Sequence, residues 1–301
     1  MKAVDLFSGC GGLSLGLSKA GINVIGAFEN WEPAIDIYQK NFKHPVYKID
    51  LTNVKNAIAQ IKKLNPDMIA GGPPCQDFSS AGKRNEDLGR ADLTVCYAKI
   101  IAGVSPDWFL MENVDRAAKS IAFKDAKKIL SKKYGLTEVI LDASFCGVPQ
   151  KRKRVFLIGK KGESDDFLSE YLIKDLSKGS LTVKQYFGKR LDTNFYYRHA
   201  RSYARRGIFS VNEPSPTIRG VNRPIPPKYK FHVGDATTDL TQVRPLSSKE
   251  RAAIQTFPAT FKWTDISKST LEQIIGNAVP VNLGKYVGSK ILAYIKDKEK
   301  K

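Results

Sequence analysis

The sequence predicts an α/β fold: a mostly parallel seven-stranded sheet with helices on both faces, joined to a smaller irregular domain. Three observations carry this. Short apolar runs alternate with helix-period stretches over about 160 residues, the pattern of strands linked by crossover helices. The first run ends in a glycine-rich turn, "DLFSGCGGLSLGL", that opens a helix. Beyond Lys161 the texture changes to a basic, aromatic and proline-punctuated stretch.

The strand-like runs are "KAVDLF", "NVIGAFE", "PVYKID", "PDMIAGG", "DWFLMENV", "TEVILDAS" and "RVFLIGK". Each is short and rich in β-branched, aromatic or other apolar residues, as strands covered on both faces must be. Between them lie the helical candidates "LSLGLSKA", stopped by Gly21, then "EPAIDIYQKNF", "VKNAIAQIKKL", "DLTVCYAKIIAGV" and "AFKDAKKILSKKYG". Residues 181–240 hold eleven Lys/Arg against four Asp/Glu, interleaved with Tyr186, Phe187, Phe195, Tyr196, Tyr197, Tyr203 and Phe209. This region reads as loop-rich. A helix at "SSKERAAIQTFP" follows, then a loop and a last amphipathic helix within "LEQIIGNAVPVNLGKYVGSKILAYI"; the tail "KDKEKK" reads as solvated charge.

Composition bounds the function. The formal net charge of +19 over 301 residues favours a polyanionic partner, nucleic acid ahead of an anionic membrane surface. The opening "MKAVDLFSGCGG" lacks the apolar core of a signal peptide, so a cytoplasmic location is expected. No apolar run approaches the roughly 20 residues of a membrane span. Cys10, Cys75, Cys96 and Cys146, with three histidines, supply neither a disulfide framework nor zinc-ligand spacing, so no metal is expected.

The glycine turn suits a cofactor. Gly9, Gly11 and Gly12 let backbone approach a ligand at a strand's carboxyl end, but Ser14 stands where a dinucleotide fingerprint needs its third glycine. Alone, such a turn is equally well read as a tight strand-to-helix connection. Glu29 ends the next strand, twenty residues after Gly9, where a carboxylate accepts both hydroxyls of a ribose, and Asp50 ends the third, within reach of an adenine amino group. The ordered series describes a nucleoside site without phosphates, which S-adenosylmethionine fits.

Cys75 follows the fourth strand in "GGPPCQDFSSAGKR", so it belongs to the same sheet edge as the glycine turn. Pro73 and Pro74 fix φ ahead of it and pre-orient a thiol that, as thiolate, is a strong carbon nucleophile. The next strand ends in "ENV", bringing Glu112 to that edge, and "PQKRKRVFLIG" brings Gln150, Arg152 and Arg154 beside it. The other three cysteines read as small buried side chains.

With these residues the chain resembles the DNA cytosine-5 methyltransferases. The ordered motifs are "DLFSGCGGLSLGL", "GGPPCQDFSSAG", "ENV", "QKRKR", "RPLSSKERAAIQTFP" and "GNAVPVNLG", spanning about residues 3 to 292 and interrupted only by the basic stretch. The resemblance implies a Rossmann-like S-adenosylmethionine-dependent methyltransferase fold. Residues 1–180 form the catalytic and cofactor-binding domain, completed by 276–301, and 181–275 form the target-recognition domain and hinge.

It also implies roles. Cytosine carbon 6 resists attack and carbon 5 is a poor nucleophile; addition of the Cys75 thiolate to carbon 6 solves both, if charge at N3 and O2 is stabilised. Glu112 would meet N3 and the exocyclic amine while protonated or sharing a proton, Arg154 would polarise O2, and Arg152 would act in or brace the site. Phe7, Ser8, Asn30, Leu51, Pro74, Leu93, Asn277 and Val279 join the glycines, Glu29 and Asp50 as the implied cofactor set.

A stacked cytosine must be flipped out of double-stranded DNA to be reached. The segment "SSAGKRNEDLGRAD" resembles the family's closing loop, with Gln76, Ser79, Lys83, Arg84 and Arg90 on DNA. "PTIRGVNR" matches the Thr-plus-aliphatic signature at Thr217 and Ile218. Arg219 and Arg223 are candidates for bidentate guanine contacts, with phosphate contact as the plainer alternative. Arg198, Arg201, Arg205 and Arg206 are read as phosphate grips. The implied partners are DNA and a cognate restriction endonuclease, with a monomer acting on DNA. Rival readings are a DNA-binding protein that has lost catalysis, a tRNA cytosine methyltransferase, which would lack a large reader domain and depart from Pro-Pro-Cys-Gln, and a Rossmann dehydrogenase.

Overall fold

The computed structural model describes residues 1–74, 92–200, 202 and 205–300. Its first half alternates β1 (Lys2–Leu6), α1 (Gly12–Ala20), β2 (Asn23–Glu29), α2 (Glu32–Asn41), β3 (Val46–Lys48), α3 (Val54–Leu64), β4 (Met68–Gly71), α4 (Leu93–Val104), β5 (Trp108–Val114), α5 (Ile121–Leu130) and β6 (Gly135–Asp142). β7 (Gln150–Lys151) and β8 (Lys153–Lys160) follow. The main sheet has seven strands in the order β3-β2-β1-β4-β5-β8-β6. β3, β2, β1, β4 and β5 run parallel, while β8 pairs antiparallel with both β5 and β6.

That reversal decides what the site contains. A parallel seventh strand would present its start at the edge away from the glycine turn. Because β8 runs antiparallel, its start lies opposite the end of β5, with Arg154 paired to Val114 and Phe156 to Glu112. The sheet is covered on both faces. One apolar cluster packs Leu13, Leu17, Leu110, Phe156 and Ile158 with Leu283, Val287 and Ile291 of the last helix; the other packs Val4, Ile69, Tyr97, Phe109 and Leu157 with Phe123 and Leu130.

The second half supplies α6 (Ser169–Lys174), α7 (Val183–Phe187), β9 (Phe195–Tyr197), β10 (Ile208–Ser210), β11 (Ser215–Pro216), β12 (Val243–Pro245), α8 (Ser248–Ile254), α9 (Lys268–Asn277) and α10 (Val281–Lys298). Residues 195–245 form a small sheet, β10-β9-β12, with long irregular connections. β11 leaves it to pair with β7, Ser215 opposite Gln150, and ties this region to the main sheet.

Two readings from sequence are corrected. The helix drawn over residues 122–135 ends at Leu130, because Gly135 already begins β6 and its Cβ position would lie 2.2 Å from the Glu163 carbonyl oxygen. The stretch before the last helix is largely α9 rather than loop. The tail is exposed charge as read, and is helical through Lys298.

α10 packs on α1 at close range because both carry glycine. A Cβ at Gly16 would lie 2.5 Å from the Val281 carbonyl oxygen, and a Cβ at Gly284 would lie 3.5 Å from Gly16 Cα. No helix among the described residues is long and apolar enough to cross a membrane.

Candidate active site

The glycine turn is shaped for close approach. Phe7, Gly9 and Gly11 all hold positive φ (57, 54 and 93°), which turns the chain sharply from β1 into α1. A Cβ on Gly12 would lie 2.2 Å from the Val279 carbonyl oxygen, so the "GNAVPV" segment returns to the first turn. A Cβ on Gly9 would meet nothing within 4 Å among the described residues. Among the described residues, the space over the turn is open.

Glu29, at the end of β2, closes that space. Its Oε2 accepts the Gly9 N–H at 2.7 Å, and its Oε1 accepts the N–H groups of Asn30 and Trp31 at 2.8 and 3.0 Å. The carboxylate is thereby fixed over the turn. Ser8 Oγ is buried without a hydrogen-bond partner among the described residues, a polar group oriented for something else. Asp50 is exposed and accepts Thr52 N–H and Oγ1–H at 2.9 and 2.7 Å, beside the buried Leu51. Leu93 opens α4 half-buried, Pro74 is exposed, and Asn277 ends α9 exposed. An acidic anchor for hydroxyls, an unsatisfied hydroxyl and an unobstructed glycine suit a nucleoside cofactor such as S-adenosylmethionine.

Glu112 and Arg154 form the charged centre. They lie diagonally across the β5–β8 pair, on one face of the sheet, and Arg154 Nε sits 2.8 Å from Glu112 Oε1 with the side chains about 11% and 10% exposed. Burial lowers the Arg154 pKa, against the opposing charges of Glu112 and Asp115. The second carboxylate oxygen, Oε2, lies 3.1 Å from where a Cβ on Gly72 would stand. Glu112 therefore looks directly onto the chain that leads through Pro73 and Pro74. Asn113, the next residue of "ENV", donates from Nδ2 to the Pro73 carbonyl at 3.1 Å and ties that chain to β5.

Cys75 lies outside the described residues, as do Gln76, Ser79, Lys83, Arg84, Arg90 and Arg201. The other thiols are buried, and burial pushes Cys10 and Cys146 up to about 12 and raises Cys96 as well. None of these three is a thiolate near neutrality.

Arg152 is placed differently from Arg154. It is 3% exposed, and its guanidinium donates to the carbonyls of Ile218, Gly276 and Ala278 at 3.1, 3.1 and 3.2 Å. It joins three chain segments, so it positions the site rather than facing a substrate. Ile218, expected among the DNA contacts, is instead buried, its N–H taken by Gln150 Oε1 at 2.9 Å and its carbonyl by Arg152. The aliphatic half of the Thr-plus-aliphatic pair is a core residue. Thr217 Oγ1 donates to the Lys151 carbonyl at 2.8 Å.

The remaining arginines divide. Arg198 donates to the Thr217 carbonyl at 3.1 Å, Arg219 to the His199 carbonyl, and Arg206 pairs with Glu213 and stacks on the Phe209 ring at 4.2 Å. Arg205 and Arg223 are exposed.

Sequence reasoning singled out Gln150 but overlooked the buried polar cluster to which it belongs. Gln150 Nε2 donates to Gln255 Oε1 at 2.8 Å, Gln255 Nε2 reaches the Ile275 carbonyl at 2.7 Å, and Arg251 pairs with Glu272 at 2.9 Å while donating to the carbonyls of Arg219 and Val221. The readable signal was polar residues on the apolar side of "SSKERAAIQTFP".

Fold and site together define an α/β methyltransferase. A family model described as "C-5 cytosine-specific DNA methylase" matches residues 1–293, and the chain belongs to that family. It is 56% identical over 299 residues to the Type II methyltransferase M.HindV of Haemophilus influenzae, covering 99% of this chain and 98% of the relative. It is 54% identical to M.HgiDI of Herpetosiphon aurantiacus, covering 98% and 95%. The S. pombe Dnmt2 methyltransferase shares the fold at a TM-score of 0.72 and 18% identity, covering 99% of each chain. A putative DNA modification methyltransferase from an E. coli prophage does so at 0.70 and 22%, covering 98% and 99%.

Proposed function

We propose that this C-5 cytosine DNA methyltransferase uses S-adenosylmethionine, works through a covalent Cys75 adduct on a cytosine flipped from double-stranded DNA, and modifies one short sequence to protect it from a cognate endonuclease. Residues 1–180 with 276–301 are proposed as the catalytic unit and 181–275 as the sequence reader. The observation that carries the chemistry is the Glu112–Arg154 pair facing the Gly72–Pro74 chain that leads into Cys75.

The cofactor would be held by the glycine turn, Ser8 and Glu29, with Asp50 toward the adenine. Bound there, it supplies an electrophilic methyl group on a sulfonium. The chain's own residues do the rest. Addition of the Cys75 thiolate forms a sulfur bond to carbon 6 and shifts the ring's double-bond electrons to carbon 5. Glu112 holds the proton at N3 and Arg154 opposes negative charge at O2, so carbon 5 becomes nucleophilic at low cost. After carbon 5 has gained its methyl group, a base removes its proton; the electron pair re-forms the ring double bond and expels the Cys75 thiolate.

The test is 5-methylcytosine sequencing of a plasmid from a methylation-free host expressing the chain, followed by incubation of the purified protein with DNA containing 5-fluorocytosine. Methylation should be confined to one motif, and the fluorinated duplex should trap wild type but not Cys75→Ser, because fluorine cannot leave as a proton. Trapping by Cys75→Ser would overturn the mechanism.

A further inference from the structure

Four of the seven large apolar side chains that stand exposed among the described residues fall between positions 221 and 240: Val221, Phe231, Val233 and Leu240. Phe231 is 45% exposed and Val233 100%. The turn carrying these two is firmly built. One oxygen of Asp235 accepts the N–H groups of Gly207 and Ile208 at 2.9 and 3.0 Å, and the other accepts the His232 N–H and the Tyr229 hydroxyl at 2.9 and 2.8 Å. The Gly234 N–H donates to His232 Nδ1 at 2.9 Å, and Tyr229 packs edge-to-face on Tyr197 and Phe231 at 5.6 and 5.5 Å. A carboxylate with four bonds thus braces a tip that holds apolar side chains in water. Two apolar side chains held exposed on one braced turn are available to a partner.

Its position and surroundings say what contacts it. Arg206 donates to the Gly234 carbonyl at 3.2 Å, which sets the tip beside the connection between β9 and β10. Arg219 donates to the His199 carbonyl in that same connection, Ile218 is held by Arg152, and Arg154 follows two residues later against Glu112. These bonds place the tip and the segment beside Arg152 at the two ends of the same β9–β10 connection. Arg223, Lys228 and Lys230 flank it with positive charge.

We infer that the Tyr229–Asp235 turn is a base-contacting element, with Phe231 and Val233 reaching base edges of the DNA while Lys228 and Lys230 meet the adjoining phosphates. Apolar side chains in the major groove read the pyrimidine carbon-5 edge, where a thymine methyl group distinguishes bases. This inference rests on the DNA-methylating reading above.

The test compares wild type, Phe231→Ser/Val233→Ser and Asp235→Ala. Each is profiled by 5-methylcytosine sequencing in the methylation-free host, and kcat/KM is measured on the duplex that wild type prefers. The double variant should stay folded and melt only slightly below wild type, since Val233 is fully exposed and Phe231 gives up part of its packing, including the ring contact with Tyr229. It should lose roughly tenfold or more in kcat/KM, or accept other bases at one motif position, as loss of one base contact does. Asp235→Ala, which frees the turn but keeps both apolar residues, should shift in the same direction. A double variant with wild-type motif and rate would overturn the inference. Should wild type leave the plasmid unmethylated, the underlying reading fails and duplex binding by fluorescence anisotropy judges the tip: equal affinities of wild type and double variant overturn it. A wild-type dimer that becomes monomeric in the double variant would also overturn it, making the tip an interface between copies.

Discussion

Asp5 sits 1% exposed beneath the glycine turn, where Ser14 Oγ donates to its Oδ2 at 2.6 Å while Oδ1 has no partner among the described residues. Ser14 in turn accepts the Tyr38 hydroxyl at 2.7 Å, and His44 Nε2 lies 2.7 Å from the same hydroxyl. Burial pushes the Asp5 carboxyl up to about 7, outweighing the hydrogen bonds from Ser14. The neutral acid is thus the form the fold favours. A carboxyl raised in this way stabilises fully below its unfolded pKa, and that contribution is lost as pH rises toward the folded value, at about 1.4 kcal/mol for each pH unit crossed. The window runs from pH 3.8 to about 7. Asp5→Asn cannot titrate, so its melting temperature should fall less than that of wild type between these limits, whatever its absolute level. Parallel curves in thermal melts at a series of pH values would show that Asp5 is ionised in the fold. The residue scale is also where sequence reading succeeds unevenly. Glu29 and Glu112 are legible because the ends of parallel strands meet at one edge, whereas Arg154, at a strand's start, reaches that edge only because β8 runs antiparallel. Asp5 is not legible, since a single acidic residue within "KAVDLF" carries no sign that it is buried with one oxygen unpaired.

At the scale of elements, the irregular stretch 217–222 is held by side chains rather than by a ladder. Arg198, Arg152 and Arg251 each donate to its carbonyls, and Asn222 Nδ2 donates to the Leu246 carbonyl and to Glu272 Oε1 at 2.8 and 2.9 Å. Gly276 completes the fit, since a Cβ there would lie 2.3 Å from the Arg219 carbonyl carbon and the Gly220 nitrogen. Arg251→Ala should leave Glu272 buried and without its cation, which costs about 3–5 kcal/mol, while replacing both by methionine should recover much of that loss. Urea denaturation of the two variants checks this; equal destabilisation would mean the packing, not the uncompensated charge, matters. The strands of the main sheet are readable because doubly covered strands are continuous apolar runs. The stretch 217–222 is not, because its order comes from residues distant in sequence and it has no period of its own. The same cause hides α9: its apolar residues Ile274 and Ile275 face the core shared with residues 183–261, whose position no local pattern announces.

For the whole molecule, charge is the property most easily over-read. Residues 181–240 carry a net +7, from eleven basic and four acidic side chains, yet several of those arginines serve the fold. Arg190 donates to the carbonyls of Tyr186 and Phe187, Arg206 pairs with Glu213, and Arg198 and Arg219 hold backbone carbonyls. From sequence, Arg198, Arg206 and Arg219 read as phosphate grips or base readers, because composition does not distinguish a cation facing solvent from one facing a carbonyl. The distinction is measurable through counterion release. Each phosphate neutralised by a side chain adds about 0.9 to the slope of log affinity against log salt. Arg223→Ala and Lys230→Ala, at exposed positions, should therefore each lower the slope by about 1 in anisotropy titrations of a duplex between about 50 and 200 mM salt. Arg206→Ala should leave the slope unchanged and instead lower the melting temperature, since it removes the partner of Glu213 and the support of the Gly234 carbonyl. An Arg206 variant with unchanged melting but a shallower slope would mean that its contact with Glu213 opens on DNA, and that the basic stretch reads phosphates with more of its arginines than its folded state assigns.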